Sequence, residues 1–192
     1  MSRHSKSRGW RFLLLEMIIV FIGVYGAFYL TTLREEEIDR RNQVNYYKTF
    51  LLNLEDLQKS AVTIRAEVDS LLSEQESTPP SEIRLVRAID FTNNMLIVRS
   101  GFESDNFTTI GKDYLASLDR GSNLISMIEK RANILEEETR YFLIYGSGKE
   151  NEFRAWYIEE LKTLSGLLSA LEATIVNGAV PETNTIIKMI EG

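Results

Sequence analysis

A continuous apolar run near the start is the strongest pattern in the chain. It covers residues 12–33, lies between Arg11 and Arg34, and contains one charged residue, Glu16. About 20 predominantly apolar residues in a helix span the hydrocarbon core of a bilayer. The core helix of a soluble protein would show a polar face, and this run has none. The pattern therefore predicts one transmembrane helix over residues 12–33.

The same run has a second interpretation, a cleaved signal peptide, because Val24-Tyr-Gly26 has residues small enough for a weak cleavage site. The length of the run, the charge of Glu16 inside it and the charged helix that follows directly all favour an uncleaved anchor.

Beyond the run, a polar segment precedes a regular apolar repeat. Residues 34–45 are nearly all polar and are interpreted as a charged helical stalk. From there the apolar positions recur every seven residues, which is the seam of a helix that needs facing helices to bury it. The two lines of this seam are Tyr47, Leu54, Ala61, Val68 and Phe50, Leu57, Ile64, Leu71.

The rest of the chain predicts further helices joined by short connections. Pro79-Pro80 ends the long helix, because two prolines cannot continue its hydrogen bonds. The predicted elements are a helix over 82–98, a short helix from Ser104 or Asp105 to 118, a turn at 119–122, a helix over 123–145, a stop at Gly146-Ser-Gly148, and a helix over 151–176 that ends at Asn177-Gly178 and Pro181. Matching apolar stripes and short loops predict an antiparallel bundle.

The fold class is thus all-α, with one transmembrane helix continuing into a long helix of a bundle. The predicted divisions are a basic cytoplasmic tail (1–11), the span (12–33), the stalk (34–45), the extracytoplasmic bundle (46–180) and a C-terminal tail (181–192) with a short amphipathic turn over 183–191. Aromatic residues on or beside the inner stripes are interpreted as core. They are Tyr46, Tyr47, Tyr141, Phe142, Trp156 and Tyr157.

Charge predicts the orientation of the span. The chain has 22 basic and 28 acidic residues, for a net charge of −6. The tail contains basic residues and no acid: Arg3, Lys6, Arg8 and Arg11. A short basic segment before a first span favours the cytoplasm. The acidic remainder repels phosphate backbones, so nucleic acid is not expected as a partner.

Glu16 is the residue that stands out most, because ionisable groups within a membrane span are costly and commonly functional. Helical spacing places it on one stripe with small residues, which allow helix backbones to approach closely. The candidate partner-packing residues are Glu16, Ile19, Gly23, Gly26, Ala27 and Leu30. Two other interpretations stay open: Glu16 extends to the headgroups or to Arg8 or Arg11, or it carries protons or ions.

Catalytic and metal chemistry find little support in the residue inventory. The chain has no cysteine and a single histidine, His4 in the tail, so thiol and most histidine chemistry is excluded. Gly146-Ser-Gly148-Lys149 lacks the glycine and the hydroxyl that a phosphate-binding loop requires. The acidic runs 35–37 and 136–138 lack the alternation of a calcium loop. We expect no enzyme activity, no cofactor and no metal.

The layout resembles a bacterial domain-of-unknown-function family of small single-pass membrane proteins. The resemblance is carried by the basic tail, by the span Leu15-Glu16-Met-Ile-Ile-Val-Phe-Ile-Gly23, and by Phe102-Glu-Ser104 followed by Leu118-Asp-Arg-Gly121-Ser-Asn-Leu124-Ile125. The tryptophan-containing end of the span that is usual in the family is replaced here by Leu30-Thr-Thr-Leu33. The resemblance implies membrane anchoring and a helical ectodomain, and it implies no reaction.

The function predicted from these features is that of a non-enzymatic accessory or scaffold subunit of a membrane complex, or of a homo-oligomer. Its expected partners are membrane lipid and other membrane protein subunits or itself, with no small-molecule substrate. The expected location is the bacterial inner membrane, with the N-terminus cytoplasmic and the bundle periplasmic or extracellular. The alternatives are a sensory, signal-relaying bundle and an ion- or proton-coupled subunit that uses Glu16.

Overall fold

The structure is a computed structural model that describes residues 6–77, 83, 112–146 and 148–192, with side chains from residue 15 onwards. These residues form helices, and no strand occurs among them, which confirms the all-α class. The helices are α1 (Lys6–Glu76), α2 (Lys112–Tyr145), α3 (Glu150–Thr174) and α4 (Val180–Glu191). A π-helical turn, Ile175–Ala179, joins α3 to α4.

The chain divides into two compact units, Met1–Asn45 and Tyr46–Gly192. In the first unit the structure describes residues 6–45, all of them within α1. The second unit contains the remainder of α1 together with the other helices. Apart from Ile83, the predicted helix over 82–98 lies outside the described residues. So does the part of the predicted short helix that precedes residue 112.

In the second unit α1 buries its seven-residue repeat. On the first line of the seam, Tyr47, Leu54, Ala61 and Val68 are all at most 4% exposed. On the second line Phe50 and Leu57 are buried, whereas Ile64 and Leu71 are partly buried. Full burial of a large apolar side chain contributes about 1.5–3 kcal/mol, so the repeat selects the face of α1 that the other helices cover.

The predicted turn at 119–122 is wrong, because α2 passes through it as continuous helix. Leu118 and Ile125 lie seven residues apart on either side, and both are buried on the same face. A glycine in a helix interior costs about 1 kcal/mol relative to alanine. Burial of apolar side chains before and after Gly121 outweighs that amount, and the helix does not stop.

The inner stripe of α3 is confirmed, but the predicted helix end at 177–181 is wrong. The chain stays helical through the π turn and α4 to Glu191. Pro181 lies in the first turn of α4, where its ring is tolerated. The buried stripe comprises Tyr157, Leu161, Leu164, Leu168, Leu171, Ile175, Ala179, Thr183 and Ile187.

The spacing of this stripe explains the π turn. Up to Leu171 the steps alternate between four and three residues, whereas from Leu171 to Ile187 every step is four. An α-helix turns about 100° per residue, so four such steps would rotate the stripe about 160° away from the core. One extra residue in a π turn takes back about 100° of that drift. Thr183 and Ile187 therefore stay buried, and residues predicted as a tail belong to the core.

Polar contacts show that α1 runs antiparallel to α3 and α4. Lys48 Nζ lies 2.7 Å from Glu191 Oε1, and Arg65 Nη1 lies 2.6 Å from Glu172 Oε2. Towards the other end of this part of α1, the Lys162 ammonium pairs with Glu76 at 3.2 Å. The residue numbers rise along α1 as they fall along α3 and α4, so the predicted antiparallel bundle is confirmed.

Candidate membrane and partner-packing surface

The first unit exposes a long apolar surface. All large apolar side chains from Leu15 to Leu33 are exposed, and Phe28 reaches 76%. Monomeric soluble proteins rarely expose contiguous apolar patches larger than a few hundred Å². A helix that is apolar on all sides needs lipid or other protein around it.

The backbone and hydroxyl chemistry of this helix also suits an apolar environment. The hydroxyl of Thr31 donates to the Ala27 carbonyl at 2.9 Å, and that of Thr32 donates to the Phe28 carbonyl at 3.1 Å. Both hydroxyl protons are therefore satisfied within the helix, as is required where no water is present.

The predicted packing stripe forms one face of α1. At about 100° per residue, Glu16, Ile19, Gly23, Gly26 and Leu30 lie within about 80° of one another. A Cβ atom added at Gly23 or Gly26 would meet no atom within 4 Å, so the helix surface is open at both positions. The side chains of Ile19 and Leu30 are 62% and 66% exposed. The stripe, with Ala27 at its edge, is therefore available to a second helix.

The structure describes only part of the basic tail from which the orientation of the span is predicted. Arg3 lies outside the described residues, and Lys6, Arg8 and Arg11 lie in α1 with side chains that are not described. In the stalk, Glu37 pairs with Arg41 at 2.9 Å and with Arg40 at 3.1 Å. The hydrogen bond from Arg41, followed by the charge of Arg40, lowers the pKa of the Glu37 carboxyl. This part of the acidic run is occupied by arginines.

Two helical stretches of the described chain are long and apolar enough to cross a membrane. The first begins at Leu15 and its most apolar window is entirely exposed; the second comprises Glu150–Glu191 and is partly buried. The apolar residues of the second helix already have a place, since Leu161, Leu164 and Leu168 are fully buried in the bundle. Of these two stretches, the first is the one whose most apolar window stays wholly exposed.

The loop between α2 and α3 is the helix stop predicted from its glycines. Gly148 has a φ of +88°, a left-handed conformation that favours glycine. Its backbone N–H donates to the Glu150 carboxylate at 2.9 Å, and this hydrogen bond lowers the pKa of Glu150. A Cβ atom at Gly146 would collide with the Phe142 ring. The loop geometry thus accounts for both glycines without a phosphate.

The end of α2 carries a second exposed apolar group. Tyr141 was predicted to lie in the core, but it is 63% exposed, and Leu143, Ile144 and Tyr145 are exposed beside it. The buried position here is Thr139, and Tyr141, two residues or about 200° further round, falls on the opposite side of the helix. Of the other predicted core aromatics, Tyr47 and Tyr157 are buried, whereas Tyr46, Trp156 and Phe142 are partly buried, and the ring of Phe142 stacks on Phe153.

Among the described residues, no group of three or more His, Cys, Asp or Glu side chains is placed to hold a metal ion. In the acidic run 136–138, the Glu136 carboxylate pairs with Arg140 at 2.7 Å. Comparison with known proteins gives no match to a family model, to a curated protein or to a solved structure. The exposed apolar surface of α1 is therefore the feature from which a function can be inferred.

Proposed function

We propose that this chain is a single-pass membrane protein that serves as a non-enzymatic accessory or scaffold subunit. Its apolar helix anchors it in lipid and packs against other membrane subunits or a second copy. The observation that carries the proposal is the exposure of every large apolar side chain from Leu15 to Leu33. The open backbone at Gly23 and Gly26 supports helix packing as the second role.

The proposed location is the bacterial inner membrane, with the N-terminus cytoplasmic and the bundle on the outer side. Its support is the basic tail, Arg3 to Arg11, which precedes the span without any acid. Because the chain has no native cysteine, single cysteines report topology directly. A cysteine at the exposed position Ser126 should react with a membrane-impermeant maleimide added to intact spheroplasts. Labelling only after lysis would show that the bundle lies on the cytoplasmic side and that the proposed orientation is wrong.

The partner-packing role is tested by matched substitutions on two faces of the helix. Gly23→Leu and Gly26→Leu fill the stripe, whereas Tyr25→Leu alters the opposite face, about 180° from Glu16. After extraction in mild detergent, the two glycine variants should lose the partners or the oligomer that the parent retains. Tyr25→Leu should keep them. If parent and variants all migrate as the same partner-free monomer, the packing role is wrong.

Glu16 separates packing from the ion-coupled alternative. Its place on the same face as the glycines favours a contact with a neighbouring helix, because a charge in a span commonly faces protein or water. Glu16→Gln keeps the shape and removes the charge. Loss of assembly supports a packing contact, whereas intact assembly with abolished proton or ion flux supports the ion-coupled alternative.

A further inference from the structure

The π turn at residues 175–179 lies between two separately attached helices. Its defining hydrogen bond runs from the Val180 N–H to the Ile175 carbonyl, five residues apart. At the start of the turn, the Ile175 N–H is shared between the Leu171 carbonyl, four residues back as in an α-helix, and the Glu172 carbonyl, three residues back. π turns inside α-helices are rare and frequently occur at functional sites.

Two polar contacts hold α4 beyond the turn. The Thr183 hydroxyl donates to the Ala179 carbonyl at 2.7 Å. Its proton is therefore used, so the Tyr114 hydroxyl must donate to Thr183 Oγ1, at 2.7 Å. At the end of α4, Glu191 pairs with Lys48. These contacts attach α4 to α2 and α1.

Two matching contacts hold α3 before the turn. The Ser165 hydroxyl donates to the Asp69 carboxylate at 2.6 Å, and Glu172 pairs with Arg65 at 2.6 Å. These two contacts of α3 match those of α4 in kind, although α3 is also held by the ion pairs Lys162–Glu76 and Glu160–Arg131 further from the turn. The attachments of α3 and α4 can be removed independently.

The π turn packs against α2 with little free space between them. A cavity of about 20 Å³ borders it, with Ser117 and Gly121 of α2 on one side and Ile175 and Ala179 on the other. This volume is enough for about one water molecule. Gly178 packs closely on α2, since a Cβ atom there would lie 3.0 Å from Ser117 Oγ.

The turn is retained by the side chains of α4. A regular α-helix through this region would rotate α4 by about 100°, so that Glu182 would take the place of Thr183 and Ile186 that of Ile187. The hydrogen bond between Thr183 and Tyr114 would be lost and a carboxylate would be turned towards the core, which is unfavourable, so docked α4 favours the π turn. We propose that residues 175–191 are a conformational switch: docking of α4 holds the π turn, and release of α4 lets it convert to α-helix with a rotation of about 100°.

Hydrogen exchange of the full-length chain in detergent tests this switch. Tyr114→Phe with Glu191→Gln removes the two contacts of α4, and Ser165→Ala with Glu172→Gln is the matched control on α3. The first pair should speed exchange about tenfold over residues 176–190 and leave residues 160–172 unchanged. The control pair should leave 176–190 unchanged. If either pair accelerates the whole of 150–191 together, or if the first pair accelerates nothing, there is no independent switch.

A deletion variant tests whether residues 175–191 can form a plain α-helix without the π turn. Deletion of Asn177 removes the extra residue, so Ala179, Thr183 and Ile187 stay on the core face of a plain α-helix. The variant should keep the parent's melting temperature to within about 5 °C and lose the response to Tyr114→Phe with Glu191→Gln. Deletion of Gly166, an exposed glycine within α3, should rotate the rest of α3 out of the core and abolish cooperative unfolding. If both deletions abolish it, the α-helical state is not accessible and the proposal fails.

Discussion

The two units differ in how the apolar residues of α1 are arranged around the helix, and this arrangement is more informative than their number. In the first unit the apolar residues of α1 surround the helix, and the large side chains from Leu15 to Leu33 are exposed. In the second unit the apolar residues of the same helix recur every seven positions, and Tyr47, Leu54 and Val68 are buried. A helix apolar on all sides suits lipid, whereas a single seam suits neighbouring helices in water.

Removal of residues 1–45 should have the largest effect on this contrast. The fragment 46–192 retains every buried core residue and loses the exposed apolar surface. We expect this fragment to stay in solution in buffer without detergent, with the helical circular dichroism of a folded bundle and with cooperative unfolding. The full-length chain should stay in the membrane pellet. A fragment that precipitates or lacks helix would show that the second unit depends on the first.

Truncation of a buried leucine should lower the free energy of unfolding much more than truncation of an exposed one. Leu161 is fully buried in the second unit, whereas Leu30 is 66% exposed in the first. Leu161→Ala should lower the free energy of unfolding of the bundle by about 2–5 kcal/mol, through lost burial and the cavity left behind. Leu30→Ala should leave it within about 0.5 kcal/mol. Chemical denaturation of the full-length chain in detergent measures both, and equal losses would contradict the division into units.

Alkaline pH should destabilise the second unit through its buried tyrosines. Burial raises the pKa of Tyr47 and of Tyr157 to about 12, and it also raises that of Tyr114. An unfolded tyrosine ionises near pH 10, so the unfolded state loses protons first. Stability is therefore complete below pH 10 and falls as the pH rises towards 12. Denaturation of the fragment 46–192 from pH 8 to 12 measures the slope, which Tyr47→Phe should reduce.

The stripes of the bundle could be predicted from the sequence because they are set by local periodicity. The positions from Tyr157 to Ile175 need only helical spacing to be found, and all of them are buried. The exposure of Leu15 to Leu33 also follows from one unbroken apolar run. The packing stripe through Glu16 and Gly23 stays a prediction, because its occupant is another molecule.

The helix ends were harder to predict because glycine is a weak stop signal. Both Gly121 and Asn177-Gly178 were interpreted as breaks, yet the helix continues through each. Burial of residues on both sides is a long-range effect that the local penalty does not reveal. A signal was nevertheless present, since Leu118 and Ile125 are seven residues apart, and the steps from Leu171 to Ile187 are all four.

The smallest expected effect compares three helical glycines of the second unit. A Cβ atom would meet nothing within 4 Å at Gly121 or Gly166, but would lie 3.0 Å from Ser117 Oγ at Gly178. Gly121→Ala and Gly166→Ala should each raise the free energy of unfolding by about 1 kcal/mol, because alanine is the better helix former. Gly178→Ala should gain less or lose stability. Urea denaturation measures all three changes. An equal gain in the free energy of unfolding at the three positions would show that α2 and the π turn are not in close contact at Gly178.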